Sequence, residues 1–290
     1  MKPRVGILGY NTGGKAHYSE LRRSDKFEVC GVFESDSVDE YCRAEIYTNF
    51  KIFIENAAPN AIIISLEEKD VFEAFCECVK YCKNILLCLP ICKSMDELAQ
   101  MKYLAHKHDV RVALCFSSRF NPTIFSLLKE LKKEEEVYSI EIFHSTLGRD
   151  LNIVNELLLK DIDMAKIIAA SDIVELNSSF TNRENSKSSD NATIKIKFKN
   201  QILTNITSSL TGSLDRYFVN VHARSGLYFC DLLNNKLYKQ NNEGQINLKV
   251  NAETSELRML YDEFFDLIQA GGSDKLALLD DAIKIKGLLT

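Results

Sequence analysis

The sequence predicts a two-part protein of mixed class: an α/β Rossmann domain with a parallel sheet, then an α+β domain with a mostly antiparallel, open sheet. Three observations carry this. Short strands that are apolar on both faces alternate with helical segments as far as Phe116, the pattern of a parallel sheet covered on both sides. A glycine-rich turn, Gly9 to Gly14, joins the first strand to the first helix. Past Phe116 the strands lengthen and alternate with period two. A length of 290 residues suits two domains. The expected division is a dinucleotide-binding domain over 1–117 and a substrate and dimerisation domain over 118–290, the last helices being free to pack back on the first.

The elements follow in order. Arg4 to Leu8 is a strand and His17 to Arg23 continues a helix; Phe27 to Phe33 is the second strand. Tyr47 to Ile54 reads as strand, turn and helix. Ala61 to Ser65 is a fully buried strand, followed by a helix from Val71 to Lys83 and a strand from Ile85 to Leu89. Met95 to His108 is a helix and Val110 to Phe116 a strand. The boundary falls near Phe116 to Asn121. Pro122 to Lys133 is an amphipathic helix, Val137 to His144 a strand, Val154 to Ala170 a second helix. Strands are expected at Ala192–Phe198, Ile202–Ser209, Arg216–Ala223, Gly226–Leu232 and Lys236–Tyr238, with hairpin turns at Lys199-Asn200-Gln201 and Arg224-Ser225-Gly226. Gly148–Asn152 and Arg183–Asn191 read as polar loops. Helices at Ser255–Ala270 and Lys275–Leu289 close the chain.

Charge and composition exclude several roles. A net charge of −5 disfavours non-specific binding to nucleic acid or anionic membrane. No apolar run approaches the ~20 residues of a membrane span, and the start, Met1-Lys2-Pro3-Arg4, is not a signal peptide. A cytoplasmic protein without nucleic-acid or membrane partners is expected. Nine cysteines are present, six of them between Cys76 and Cys115. They form no Cys-x-x-Cys pair, and no histidine interrupts Cys76 to Cys92, so they read as reduced thiols used as small hydrophobes, and no metal is expected.

The turn carries the candidate chemistry. Gly9 and Gly14 take the first and third positions of the Gly-x-Gly-x-x-Gly fingerprint, Asn11 stands at the second, and Gly13 adds freedom one step before the last. Asparagine tolerates unusual backbone angles, yet its side chain occupies space beside the phosphates. Glu34 lies 20 residues past Gly14, at the end of the second strand. An acid there accepts both ribose hydroxyls and repels a 2′-phosphate, which favours NAD over NADP. A strand-to-helix connector with a solvent-facing Glu34 is the alternative.

The sequence resembles the glucose-fructose oxidoreductase / inositol dehydrogenase (Gfo/Idh/MocA) family over nearly its whole length. Val5-Gly6-Ile7-Leu8-Gly9 through Gly14-Lys15-Ala16-His17 carries the likeness, as do Lys83 to Pro90 with Ser118-Arg119-Phe120-Asn121-Pro122, and Lys160-Asp161-Ile162-Asp163-Met164-Ala165. The resemblance implies an NAD(P)-dependent oxidoreductase acting on a sugar, polyol or related small hydroxy compound, often a homo-oligomer through the second domain's sheet. It also points to Ser65 and Pro90 as cofactor contacts. Departures fall on the chemistry. Cys88-Leu89-Pro90 stands where the family has Glu-Lys-Pro, no histidine lies near Asp161 and Asp163 in the later helix, and Ser65-Leu66-Glu67 replaces a Thr-Pro-Asn-like turn.

Alcohol oxidation needs a group to accept the hydroxyl proton as hydride leaves, and Leu89 cannot supply it. Lys160 and Lys93 are the substitutes; both also read as exposed surface lysines. Asp163, one turn from Lys160, is either a substrate-hydroxyl acceptor or half of a helical ion pair. Arg119 either contacts a substrate carboxylate or hydroxyl or pins the linker. Among the histidines, His144 on a second-domain strand is the one placed to approach a site. The alternative functions are a nucleotide- or sugar-binding relative that has lost catalysis, or a structural partner subunit.

Overall fold

In a computed structural model the described residues are 2–34, 38, 40–148, 151–182 and 189–289. They divide into two units: Met1–Phe116 with Leu257–Ile283, and Ser117–Glu256 with Lys284–Thr290.

In the first unit, β1 (Arg4–Leu8), β2 (Glu28–Phe33), β3 (Ile46–Tyr47), β4 (Ala61–Ile64), β5 (Asn84–Leu87) and β6 (Arg111–Leu114) pair in parallel, in the order β6-β5-β4-β1-β2-β3. This is the doubly wound order with its reversal at β1 and β4, where open α/β sheets hold ligands at the strand C-termini. Every residue of β4 and β5 is buried, as strands covered on both faces require. Helices α1 (Thr12–Leu21), α2 (Phe50–Ala57), α3 (Glu68–Cys78) and α4 (Met95–Lys107) cover them. Asn49 and Ser94 cap α2 and α4 through their side chains. Gly6 and Gly31 are small because rings press on the sheet: a Cβ at Gly6 would meet Phe53 at 2.4 Å, one at Gly31 Tyr47 at 2.7 Å.

The second unit opens with a 3-10 turn, Ser117–Phe120, and α5 (Pro122–Leu131). Its sheet combines β7 (Val137–Leu147), β8 (Ile173–Thr181), β9 (Asn191–Phe198), β10 (Leu203–Ser209), β11 (Thr211–Ala223), β12 (Gly226–Asp231), β13 (Lys236–Asn241) and β14 (Gly244–Leu248). The order is β14-β13-β12-β11-β7-β10-β9-β8, antiparallel except at β7 and β10. One face buries Ile140, Ile142, Val219 and Val221, with α6 (Leu159–Ala169) packed on β7 and β10.

Three expectations change. Val154–Ala170 is not one α-helix: a π-helical turn, Val154–Leu158, precedes α6. The closing segment is not a continuous helix from Lys275, because Ala277–Leu278 forms β15, antiparallel to β6 at the sheet edge, before α8 (Leu279–Leu288). Strands β8 and β14 were not foreseen. Both are mostly exposed and lack the apolar alternation that marks a half-buried strand. Each expected polar loop lies partly outside the described residues, at 149–150 and 183–188. Helix α7 (Glu256–Ala270) forms as expected.

Candidate functional site

The first cluster sits at the C-terminal ends of β1, β2 and β4. Gly9 turns the chain with φ at +89°, and a Cβ there would lie 2.1 Å from the Ser65 carbonyl oxygen. Glycine is needed on both counts. A Cβ at Gly14 would lie 2.1 Å from the Gly9 carbonyl oxygen, so this glycine lets α1 pack tightly on the turn. Gly13 is exposed, and a Cβ on it would approach Ser65 Oγ at 2.9 Å.

Asn11 is the N-cap of α1. Its Oδ1 accepts from the Gly14 amide at 2.9 Å and from Ser65 Oγ at 3.2 Å, while its Nδ2 donates to the Ser65 carbonyl at 2.9 Å. Both ends of the amide are thus engaged with the scaffold. The Gly13 amide, in the first turn, has no acceptor among the described residues. Glu34 Oε2 accepts the Tyr10 amide at 2.7 Å, and the Glu34 amide is fixed on the Tyr47 carbonyl at 2.9 Å. Glu34 and Ser65 are therefore both hydrogen-bonded to the turn that carries Gly9, Asn11, Gly13 and Gly14. Pro90 follows a cis Leu89–Pro90 bond just past β5.

The second cluster lies in the other unit, where the 3-10 turn carrying Arg119 leads into Asn121. Asn121 caps α5 by accepting the Thr123 amide at 2.9 Å and donates Nδ2 to Leu232 O and Glu256 Oε1, at 3.2 and 2.5 Å. With Pro122 at the first helical position, the start of α5 is fixed. Arg119 Nε and Nη2 donate to the two oxygens of Asp163 at 2.6 and 2.5 Å, a forked pair that is nearly solvent-free. Asp163 engages Arg119 rather than extending toward solvent as a helical ion pair would.

The neighbouring Asp161 is fully buried and gathers three donors from three strands. His144 Nδ1 on β7 is 2.9 and 3.1 Å from its oxygens, Tyr217 OH on β11 donates at 2.7 Å, and Ser208 Oγ on β10 at 3.1 Å. Because a carboxylate only accepts, Nδ1 carries the proton. Burial alone would raise the Asp161 carboxyl; the charge and hydrogen bond of His144, with Lys160 and Tyr217, hold it below the usual carboxylate range. The imidazole also stacks on Tyr217, with centroids 3.8 Å apart. Asp161 thus clamps α6 to the sheet. Lys160, half-buried, precedes it and lies two residues past the end of the π-helical turn, a local feature often found at functional sites.

Lys93, the other expected proton carrier, is exposed and donates Nζ to the Lys69 carbonyl at 3.3 Å. The Asp161 clamp was missed in the sequence. Its members come from positions 144, 161, 208 and 217, and only the strand register brings them together. The available signal was the pair of adjacent carboxylates on an otherwise apolar helix.

Residues 3–116 match the family described as oxidoreductase family, NAD-binding Rossmann fold. No curated protein sequence matches the chain. Solved structures share the fold over its whole length. UDP-N-acetylglucosamine 3-dehydrogenase GnnA from Acidithiobacillus ferrooxidans aligns with a TM-score of 0.84 at 15% identity, covering 99% of this chain and 95% of that one. GenD2 from gentamicin A biosynthesis, in complex with NAD, aligns with a TM-score of 0.83 at 14% identity over 99% and 92%. The dehydrogenase MviM from Clostridium difficile aligns with a TM-score of 0.83 at 17% identity over 100% and 98%.

Proposed function

We propose, on the premise that residues 3–116 belong to the GFO_IDH_MocA oxidoreductase family with its NAD-binding Rossmann fold, that this chain oxidises a sugar, polyol or related small hydroxy compound with NAD. The observation that carries the reading is the turn itself. Glycine at positions 9 and 14 lets the Ser65 backbone and α1 close tightly on the turn, and Ser65 holds the Asn11 amide against that scaffold, so the Gly13 amide is presented at the start of α1.

These residues fit a dinucleotide. The Gly13 amide and the positive end of α1 receive the diphosphate. Glu34, already anchored on the Tyr10 amide, accepts the ribose hydroxyls and repels a 2′-phosphate, so NAD is preferred over NADP. Ser65 and Pro90, at the ends of β4 and β5, complete the cofactor contacts.

When bound, the nicotinamide supplies the hydride acceptor. Lys160 takes up the proton of the substrate hydroxyl. Arg119, oriented by its fork with Asp163, binds a substrate oxygen or carboxylate. The likeness of fold to a dehydrogenase that acts on a UDP-amino sugar supports a sugar-type substrate.

A second copy of the chain is the other proposed partner, docked on the outward face of the second sheet, where Phe143 and Leu203 are exposed. A cytoplasmic location belongs to the same proposal, supported by cysteines that form no disulfide among the described residues. Among the described residues no helix is long and apolar enough to cross a membrane.

A second reading, a binding protein without turnover, rests on Leu89 standing where the family resemblance places a lysine. The deciding experiment follows reduced-nicotinamide absorbance with NAD and a panel of sugar nucleotides, sugars and polyols. NAD-dependent turnover of one of them is the expected result. Saturable NADH binding with no turnover across the panel selects the second reading.

A further inference from the structure

Behind the glycine turn, three side chains from separate elements of the first unit converge. His17 on α1, Cys88 after β5 and Cys115 after β6 place one nitrogen and two sulfurs within 4.8 Å of one another. His17 Nε2 is 3.0 Å from Cys88 Sγ and 3.9 Å from Cys115 Sγ. Strand register sets the two sulfurs side by side, because Leu87 pairs with Leu114 and the cysteines are the next residues. From the other side, Tyr261 OH lies 2.6 Å from His17 Nδ1. In the tautomer whose Nδ1–H donates to the tyrosine oxygen, Nε2 presents its lone pair to the sulfurs. This outer partner is the kind that orients a metal-bound histidine.

We propose that His17, Cys88 and Cys115 form a binding site for one divalent cation of zinc type, with Nε2 and two thiolates as ligands. A tetrahedral zinc ion, about 2.0 Å from nitrogen and about 2.3 Å from sulfur, sets its ligand atoms about 3.5–3.8 Å apart. The observed separations of 3.0 and 3.9 Å bracket that spacing. The charge balance suits the interior. One M²⁺, two thiols and a neutral imidazole give a complex with no net charge and two released protons. Cys88 and His17 are buried and Cys115 is half-buried. The sequence hid the site because its three ligands lie far apart along the chain, outside any Cys-x-x-Cys spacing. Ser65, which holds Asn11, also lies against the Cys88 thiol, so the site backs directly onto the turn.

The full chain, reduced and chelator-treated, is titrated anaerobically with Co²⁺ as a spectroscopic probe. The expected result is one Co²⁺ per chain, with sulfur-to-metal charge transfer and tetrahedral d–d bands that Zn²⁺ abolishes, and two protons released per ion. The double variant Cys88→Ser/Cys115→Ser loses the bands, whereas Cys76→Ser keeps them. A second readout needs no variant: Zn²⁺ slows alkylation of both Cys88 and Cys115 in the native protein by about tenfold or more. Spectra without thiolate bands, bands that persist in a folded double variant, or alkylation unaffected by Zn²⁺ overturn the proposal. In that case the three side chains are a hydrogen-bonded cluster only.

Discussion

Glu34 Oε2 accepts the backbone amide of Tyr10 at 2.7 Å. The bond ties the end of β2 to the turn that leaves β1, and the Gly9 amide adds a second tie to the Phe33 carbonyl at 3.0 Å. Sequence and geometry meet here. The acid sits at the spacing a ribose partner requires, and the fold delivers its carboxylate to the glycine turn.

Replacement of Lys160 separates chemistry from cofactor binding. Lys160→Ala is expected to lower turnover by ~10²-fold or more while leaving NADH affinity unchanged. Steady-state kinetics beside a fluorescence titration checks both halves, and an unchanged rate removes Lys160 from the reaction.

Removal of the Asp161 carboxylate leaves His144, Tyr217 and Ser208 aiming donors at a site with no acceptor. Asp161→Ala is expected to cost about 3 kcal/mol in urea unfolding. Ser208→Ala, which deletes one donor of three, costs about 1 kcal/mol. Equal losses for the two variants contradict the clamp.

Glu134 supplies a pH test. Burial pushes its carboxyl up, but hydrogen bonds from Ser225, Tyr228 and Lys239 outweigh this and lower it to about 2, from an ordinary 4.5. A depressed folded value means stabilisation that is complete above the unfolded value and lost as pH falls toward the folded one. Glu134→Gln is therefore expected to unfold about 2 kcal/mol more easily at neutral pH, a gap that closes as the pH falls from about 4.5 toward 2. Urea midpoints across that range report it; a gap independent of pH refutes the assignment.

The outward face of the second sheet carries an apolar band. Phe143 pairs with Phe218 across β7 and β11, Phe229 stacks on Tyr238 with centroids 5.2 Å apart, and Leu203 is 54% exposed. Phe143→Glu/Leu203→Glu is expected to shift light-scattering mass from oligomer to monomer without changing NADH affinity. A monomeric parent chain rules out this face as the contact between copies.

The first fold half was readable because local and global signals agree there. Ala61–Ile64 is apolar at every position and buried at every position, and the glycines stand where backbone must approach backbone. Strands β8 and β14 were not readable, because exposed edge strands leave no apolar alternation. The candidate site divides in the same way. The turn and Glu34 lie at fixed intervals along the chain, so spacing revealed them. The Asp161 clamp and the His17, Cys88 and Cys115 group are assembled by sheet register, which spacing does not encode. Arg119 was singled out in the sequence, but its fork with Asp163 spans 44 residues and needed the structure.

The proposed chemistry depends on a diphosphate lying across the Asn11 turn while Glu34 holds its ribose. Calorimetric titration of the wild-type chain and of Glu34→Ala with NADH and NADPH tests it most directly. One NADH site per chain is expected in the wild type, with NADPH at least ~10-fold weaker and a preference that collapses in Glu34→Ala. Absence of NADH binding to the folded wild-type chain would contradict it.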